Sequence, residues 1–237
     1  MVTRITRAPD RRVHVNRPQD WGSAAGTDYW AVFGDLTLAP SDSTDLDLFG
    51  WVEAGTFVHL AGAGADLIAS GAGAGTTGGA HIDTAGDSIV SPFIFGDYAH
   101  ARMAEGFLGY TPTILNMECF ARFNADGGDD EDSGFGFVEA GAASPFVKAG
   151  LQAFITSDGT NFSLESGAGA DAGSADNQDV HLWKIQFTSS AVEWFIDGTS
   201  QGTLALQANV FPLAWGASVG AAGTADPVIS WVHIWYE

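Results

Sequence analysis

The residues of this chain that could do chemistry are its carboxylates, histidines, tryptophans and arginines, and their spacing limits what each could do. Retaining glycoside hydrolysis needs two carboxyl groups about 5–5.5 Å apart. The segment 113–124 presents Glu118 on the same strand face as Phe120, Arg122 and Asn124. A second acid is missing there, and Glu118 reads as a surface residue ion-paired near Arg122. Glu139 stands on another segment, also without a paired acid, so no catalytic residue is assigned. The densest acidic run is Asp126-Gly-Gly-Asp-Asp-Glu-Asp-Ser133. Its Asp129, Asp130 and Asp132 are weak candidates for a calcium site, although the spacing departs from an EF-hand loop and a solvated loop is the stronger reading. No other cofactor or metal is indicated.

The six histidines show no metal-ligand spacing. His181 and His233 share strand faces with tryptophans and read as hydrogen-bonded core residues. Of the eight tryptophans, those in alternating strands read as core. Trp21 and Trp215 lie outside the strongest strand patterns and are the candidates for exposed glycan contacts. No glycine-rich stretch links a strand to a helix in the manner of a phosphate cradle.

The elements that must position these groups are strands. In 179–198, His181, Trp183, Ile185 and Phe187 alternate with Lys184, Gln186 and Thr188, and after Ser189-Ser190 the alternation resumes with Val192, Trp194 and Ile196. Asp197-Gly198 is a pair able to turn with positive φ, so a third strand follows at about Thr203–Gln207. In 113–124, Leu115, Met117, Cys119, Ala121 and Phe123 share the core face. Phe135 and Phe137 lie together in a strand over Gly134–Glu139, and Leu151–Ser166 is a hairpin turning at Ser157-Asp-Gly-Thr160. Tyr29–Leu38 and Leu46–Val52 read as the first core strands. Ile89–Phe95 contains Pro92 and is placed near a sheet edge. The last strand, 229–236, has Ile229, Trp231 and Trp235 on one face and Val232, Ile234 and Tyr236 on the other, and is expected to be covered on both sides.

The pattern His-x-Trp-Lys-Ile-x-Phe, then Val-x-Trp-x-Ile-Asp-Gly, resembles the late strands of concanavalin-A-like jelly rolls, the group of lectins, laminin-G domains and glucanases. The 151–166 hairpin is similar to laminin-G-like domains, and the resemblance spans roughly 113–237. It implies an all-β fold, a concanavalin-A-like jelly-roll β-sandwich placed over 21–237, while the run of arginines in residues 1–20 marks that stretch as an extended N-terminal arm. It also frames the sharpest enzymatic alternative, a family 16-like glycoside hydrolase, which the missing second acid on the Glu118 strand disfavours.

Composition narrows the partners. The formal charge of the chain is −20, and Lys148 and Lys184 are its two lysines. Such a surface repels nucleic acid. The one cysteine, Cys119, excludes an internal disulfide and reads as a buried small hydrophobe. The N-terminus leads into no apolar segment of a secretory signal, and no stretch is apolar enough to span a membrane. Arg4, Arg7, Arg11, Arg12 and Arg17 make up five of the nine basic residues. They suit an arm that docks on an acidic neighbour, such as another copy of the chain. Together these features lead to the expectation of a non-enzymatic virion structural protein. This would be a homo-oligomeric capsid decoration, turret or tail-associated subunit that contacts other virion proteins and a host-surface glycan. The alternative expectation is a cellular carbohydrate-binding module or lectin.

Overall fold

The structure is a computed structural model. It describes residues 113–123, 133–140, 146, 148–167, 169–188, 190–206, 213–220 and 226–237, and the strand segments 28–32, 45–46, 57–59, 65–68, 79–82 and 88–95. The arm, most of 33–56 and the acidic run 126–132 lie outside the described residues.

The described residues are all-β. The strands in chain order are β1 (Asp28–Val32), β2 (Asp45–Leu46), β3 (Phe57–His59), β4 (Ala65–Ile68), β5 (Gly79–Ile82), β6 (Ser88–Phe95), β7 (Leu115–Phe123) and β8 (Gly134–Glu139). After a 3-10 turn at Lys148–Gly150 come β9 (Leu151–Ser157), β10 (Asn161–Ser166), β11 (Gly169–Ala175), β12 (His181–Phe187), β13 (Ala191–Ile196), β14 (Thr199–Ala205), β15 (Leu213–Ser218) and β16 (Pro227–Tyr236). They form two antiparallel eight-stranded sheets packed as a sandwich. The front sheet runs β14-β13-β12-β7-β16-β5-β4, with β1 also on β16, and the back sheet runs β11-β10-β9-β8-β15-β6-β3-β2. On one edge of β16, β5 pairs with Val228 and Ile229 while β1 pairs with Trp231 to Trp235, so two short strands share that edge end to end.

Alternation builds the core as the sequence predicts. Leu115, Met117, Cys119, Ala121 and Phe123 of β7 are fully buried, as are Trp183, Ile185 and Phe187 of β12. Burial raises the Cys119 thiol well above its ordinary pKa, consistent with a small core hydrophobe. Trp183 joins the two layers. Its ring meets Phe162 of the back sheet edge-on at 4.8 Å and Phe135 at 5.7 Å, and its indole N–H donates to the Ala121 carbonyl at 2.9 Å. The buried polar end of a large apolar group thus keeps a hydrogen bond. The β13–β14 turn uses Asp197 at φ 50° and Gly198 at φ 80°, the positive-φ pair that the Asp-Gly dipeptide foretells.

Bulges bear on two expectations. β3 pairs only with Ile89 and Val90, so beyond Val90 β6 has β15 as its one partner among the described residues, and Pro92 lies near a sheet edge as expected. The β6–β15 register slips between Ala214 and Gly216, and the missing ladder contact is replaced there by the Trp215 amide donating to Ser91 Oγ at 3.2 Å. A bulge accommodates a proline inside a sheet because the residue is not required as a donor.

The second bulge lies in β16. Ile229 pairs with Ala121 of β7, but the next partner of Phe120 is Trp231, so Ser230 is an extra residue. The phase of the strand changes there. Ile229 joins Val232, Ile234 and Tyr236 in the core, whereas Trp231, His233 and Trp235 face outward and remain half-buried. Ile229 therefore does not share a face with Trp231, and the strand is fully covered on one side only.

Candidate functional site

The outer faces of the two sheets differ. Behind β8, β9 and β15 the outer face is closed by Phe146 and Phe154, which meet edge-on at 6.0 Å over Val138, Leu151 and Ala214. On the front sheet, the outward positions of β12, β13 and β16, with Glu118 and Phe120 of β7, form an ordered, half-buried lattice, while Asn116 and Arg122 of β7 are buried.

Cross-strand register arranges that lattice in three rungs. In the first, Leu182, Phe120 and Trp231 are aligned, with the Phe120 and Trp231 rings 6.1 Å apart at 16°. In the second, Phe195, Lys184, Glu118 and His233 are aligned. In the third, Glu193, Gln186, Asn116 and Trp235 are aligned. Directly opposed residues place their Cβ atoms about 4.5–5.5 Å apart, so Glu118 has Lys184 on one side and His233 on the other.

The third rung is held by hydrogen bonds. Gln186 Nε2 donates to Asn116 Oδ1 at 2.7 Å, and Asn116 Nδ2 donates to Glu237 Oε2 at 3.1 Å. His233 stacks on Trp235, with ring centroids 4.3 Å apart at 18°. The Lys184 ammonium lies 5.8 Å from the ring centroids of both Phe195 and Trp235, within cation–π range. Glu118 has no hydrogen-bond or ion-pair partner among the described residues.

Several expectations change on this face. Arg122 is only 2% exposed, and burial lowers its guanidinium from its ordinary pKa. It stands four positions after Glu118, about 13 Å along a strand, and the expected pairing with Glu118 does not form. The neighbours of Glu118 come instead from β12 and β16. His233 is not a core histidine, because the Ser230 bulge sends its side of β16 outward. Trp215 is 0% exposed and belongs to the core cluster, so it cannot contact a glycan. The aromatic residues on the half-buried outer face of the front sheet are instead Phe120 and Phe195 and, from β16, Trp231 and Trp235. The sequence signal for them was present in the alternation of β16, but the extra residue that sets its phase was not visible.

The remaining candidate positions, Trp21, Arg4, Arg7, Arg11, Arg12 and Arg17 and the calcium candidates Asp129, Asp130 and Asp132, lie outside the described residues. Among the described residues no group of three His, Cys, Asp or Glu could hold a metal ion.

A second polar cluster lies at one end of the sandwich. His181 Nδ1 is 2.7 Å from Asp197 Oδ2, and its Nε2 is 2.9 Å from Asn177 Oδ1. Its ring meets Trp183 and Phe162 edge-on, so His181 is the hydrogen-bonded, largely packed histidine that the sequence predicts. Partial burial alone would raise the Asp197 carboxyl. The Leu182 amide and the His181 ring outweigh it and hold Asp197 below its ordinary value. Ser157 Oγ donates to Asp176 in the neighbouring turn. These contacts tie the loop ends to one another, whereas on the front face Glu118 and Lys184 have no hydrogen-bond or ion-pair partner among the described residues.

No family model matches the chain, and no curated protein matches it. Solved structures do. One is a carbohydrate esterase of a Shiga toxin-encoding bacteriophage, phi24B, at 11% identity, covering 75% of this chain and 88% of that one with a TM-score of 0.48. Another is a mutant Trypanosoma rangeli sialidase displaying trans-sialidase activity, at 12% identity and a TM-score of 0.54. It covers 90% of this chain, which spans 31% of the sialidase. A third is an alginate lyase from Corynebacterium sp., at 11% identity, covering 53% of this chain and 59% of that one with a TM-score of 0.39. The sialidase, whose TM-score with this chain is above 0.5, is a carbohydrate-processing enzyme, and against it the expectation of a non-enzymatic virion structural protein is corrected. At 12% identity the likeness to the sialidase shows the fold alone, a β-sandwich.

Proposed function

We propose that the chain is a carbohydrate-active β-sandwich of the concanavalin-A-like jelly-roll kind, which binds and processes a glycan on the outer face of the front sheet. The observation that carries this reading is the second rung, where Glu118 stands between Lys184 and His233. It is flanked by the half-exposed rings of Phe120, Trp231, Trp235 and Phe195. Aromatic faces stack on the C–H faces of sugars while their edges leave the sugar hydroxyls to polar neighbours. A carboxylate and an imidazole side by side can give and take a proton during bond cleavage.

The chemistry differs from that of a retaining glycosidase with paired acids, because Asn116 and Phe120 occupy the positions beside Glu118 on its own strand. Glu118 and His233 form the proton-transferring pair, and Lys184 and the aromatics bind. The test is turnover on a panel of neutral, acidic and acetylated polysaccharides, read as new reducing ends, unsaturated products and released acetate. The expected result is activity on at least one class. Glu118→Gln should lower it about 10²–10⁴-fold with an unchanged melting temperature. Absence of turnover across the panel, or turnover indifferent to both Glu118→Gln and His233→Gln, overturns the proposal.

A further inference from the structure

The two lysines of the chain have different surroundings. Lys148 is ion-paired with Glu165 at 3.3 Å. Lys184 is half-buried on the front face, and among the described residues no carboxylate reaches its ammonium within ion-pair distance. Its neighbours there are two rings, Phe195 on one side and Trp235 on the other, each 5.8 Å from Nζ to the centroid. A ring face attracts a cation but accepts none of its three N–H bonds in the way an anion does. An ammonium held in this manner retains donors for a ligand oxygen, and in partly desolvated surroundings a charge-assisted hydrogen bond is stronger than a neutral one.

We infer that the ligand of this face carries an anionic substituent, a carboxylate or sulfate on a sugar ring, that seats on the Lys184 ammonium while the ring stacks against Trp235 or Phe195. This deepens the proposed function and rests on it. The third rung supports the geometry. Gln186 donates to Asn116 and Asn116 donates to Glu237, and the charged donor beside them is the Lys184 ammonium. The formal charge of −20 on the whole chain opposes an anionic polymer at long range. At about 0.15 M salt that field is screened beyond roughly 8 Å, and a contact with Lys184 is affected far less.

The experiment is calorimetric titration of the full chain, at physiological ionic strength, with matched pairs of saccharides. One pair is oligogalacturonate and its methyl ester. The other is a sulfated galactan oligosaccharide and its desulfated counterpart. The charged member of one pair should bind at least ~10-fold more tightly than its neutral partner, and the pair that shows the contrast identifies the group. Lys184→Met, which keeps the apolar stem, should abolish the contrast, and Lys184→Arg should retain it. If Lys184→Met fails to fold, the wild-type contrast and the arginine variant decide. Equal affinity within both pairs overturns the anionic class and leaves the glycan reading standing, whereas no binding by any of the four saccharides overturns both.

Discussion

The outer faces of the two sheets use aromatic side chains for opposite purposes. On the back sheet, Phe146 and Phe154 close over β8, β9 and β15, and small residues in those strands make the space. A Cβ on Gly216 would lie 2.8 Å from the Phe146 ring, and one on Gly136, at φ 147°, would collide with the Ala153 carbonyl. On the front sheet, the strands carry large outward side chains, Phe120, Trp231, His233, Trp235 and Phe195, with charged groups aligned between them. Glycine beneath an aromatic lid marks a face closed by packing, whereas the front-face aromatics stand half-buried beside charged groups. The same side-chain chemistry therefore takes its meaning from what the opposite layer covers.

That contrast is most severely tested by deleting Ser230. Without the extra residue, β16 loses its change of phase, and one half of the strand must turn its core set outward. Either Ile229 leaves the core or Trp231, His233 and Trp235 displace Val232, Ile234 and Tyr236. The expected outcome is loss of the cooperative thermal transition. A deletion variant that melts like wild type would show that the bulge does not set the faces.

Next in size is Gly136→Ala. Its Cβ meets backbone rather than a flexible side chain, and positive φ adds strain, so a loss of about 3–5 kcal/mol is expected in denaturant titration. A midpoint within error of wild type would mean that β8 can move away from β9 at little cost.

The tryptophans sharpen the comparison further. Trp183→Ala should destabilise the chain by about 3–5 kcal/mol, as for other buried aromatics. Trp231→Ala, on the open face, should cost about 1 kcal/mol or less yet weaken glycan binding. Equal losses of stability in the two variants would erase the distinction between core and contact face.

The smallest effect is a pH dependence at the His181 end. Asp197 has its pKa lowered in the folded chain, so its contribution is present above the unfolded value, about 3.9. It is lost as pH falls through the lower folded value. Its side chain is 57% exposed, so solvent screening keeps the effect modest. Between pH 6 and pH 3, Asp197→Asn should lose less stability than wild type in urea titrations. An identical slope for both proteins would remove Asp197 from the acid response.

Much of the scaffold was legible in the chain because a strand with one buried face writes that burial as alternation. Leu115 to Phe123, Trp183 to Phe187 and the Asp197-Gly198 turn need only local stereochemistry and the period of two to be placed. The candidate site was less legible. Glu118 could be assigned to its face, but its neighbours Lys184 and His233 lie 66 and 115 residues further along the chain, and strand pairing alone brings them beside it.

The sequence by itself determined that this protein would be built of strands, which side of β7, β12 and β13 would be apolar, and that its one cysteine would be buried. These follow from the fixed geometry of single strands and from the cost of exposing large apolar groups to water. Only the tertiary structure decided that Trp215 is core, that a bulge opposite Trp215 takes in Pro92, and that Trp231, His233 and Trp235 face outward beside Glu118. Each of these depends on register. One extra residue in a strand reverses every side chain beyond it, and whether a ladder accepts that residue is decided by the strand across from it.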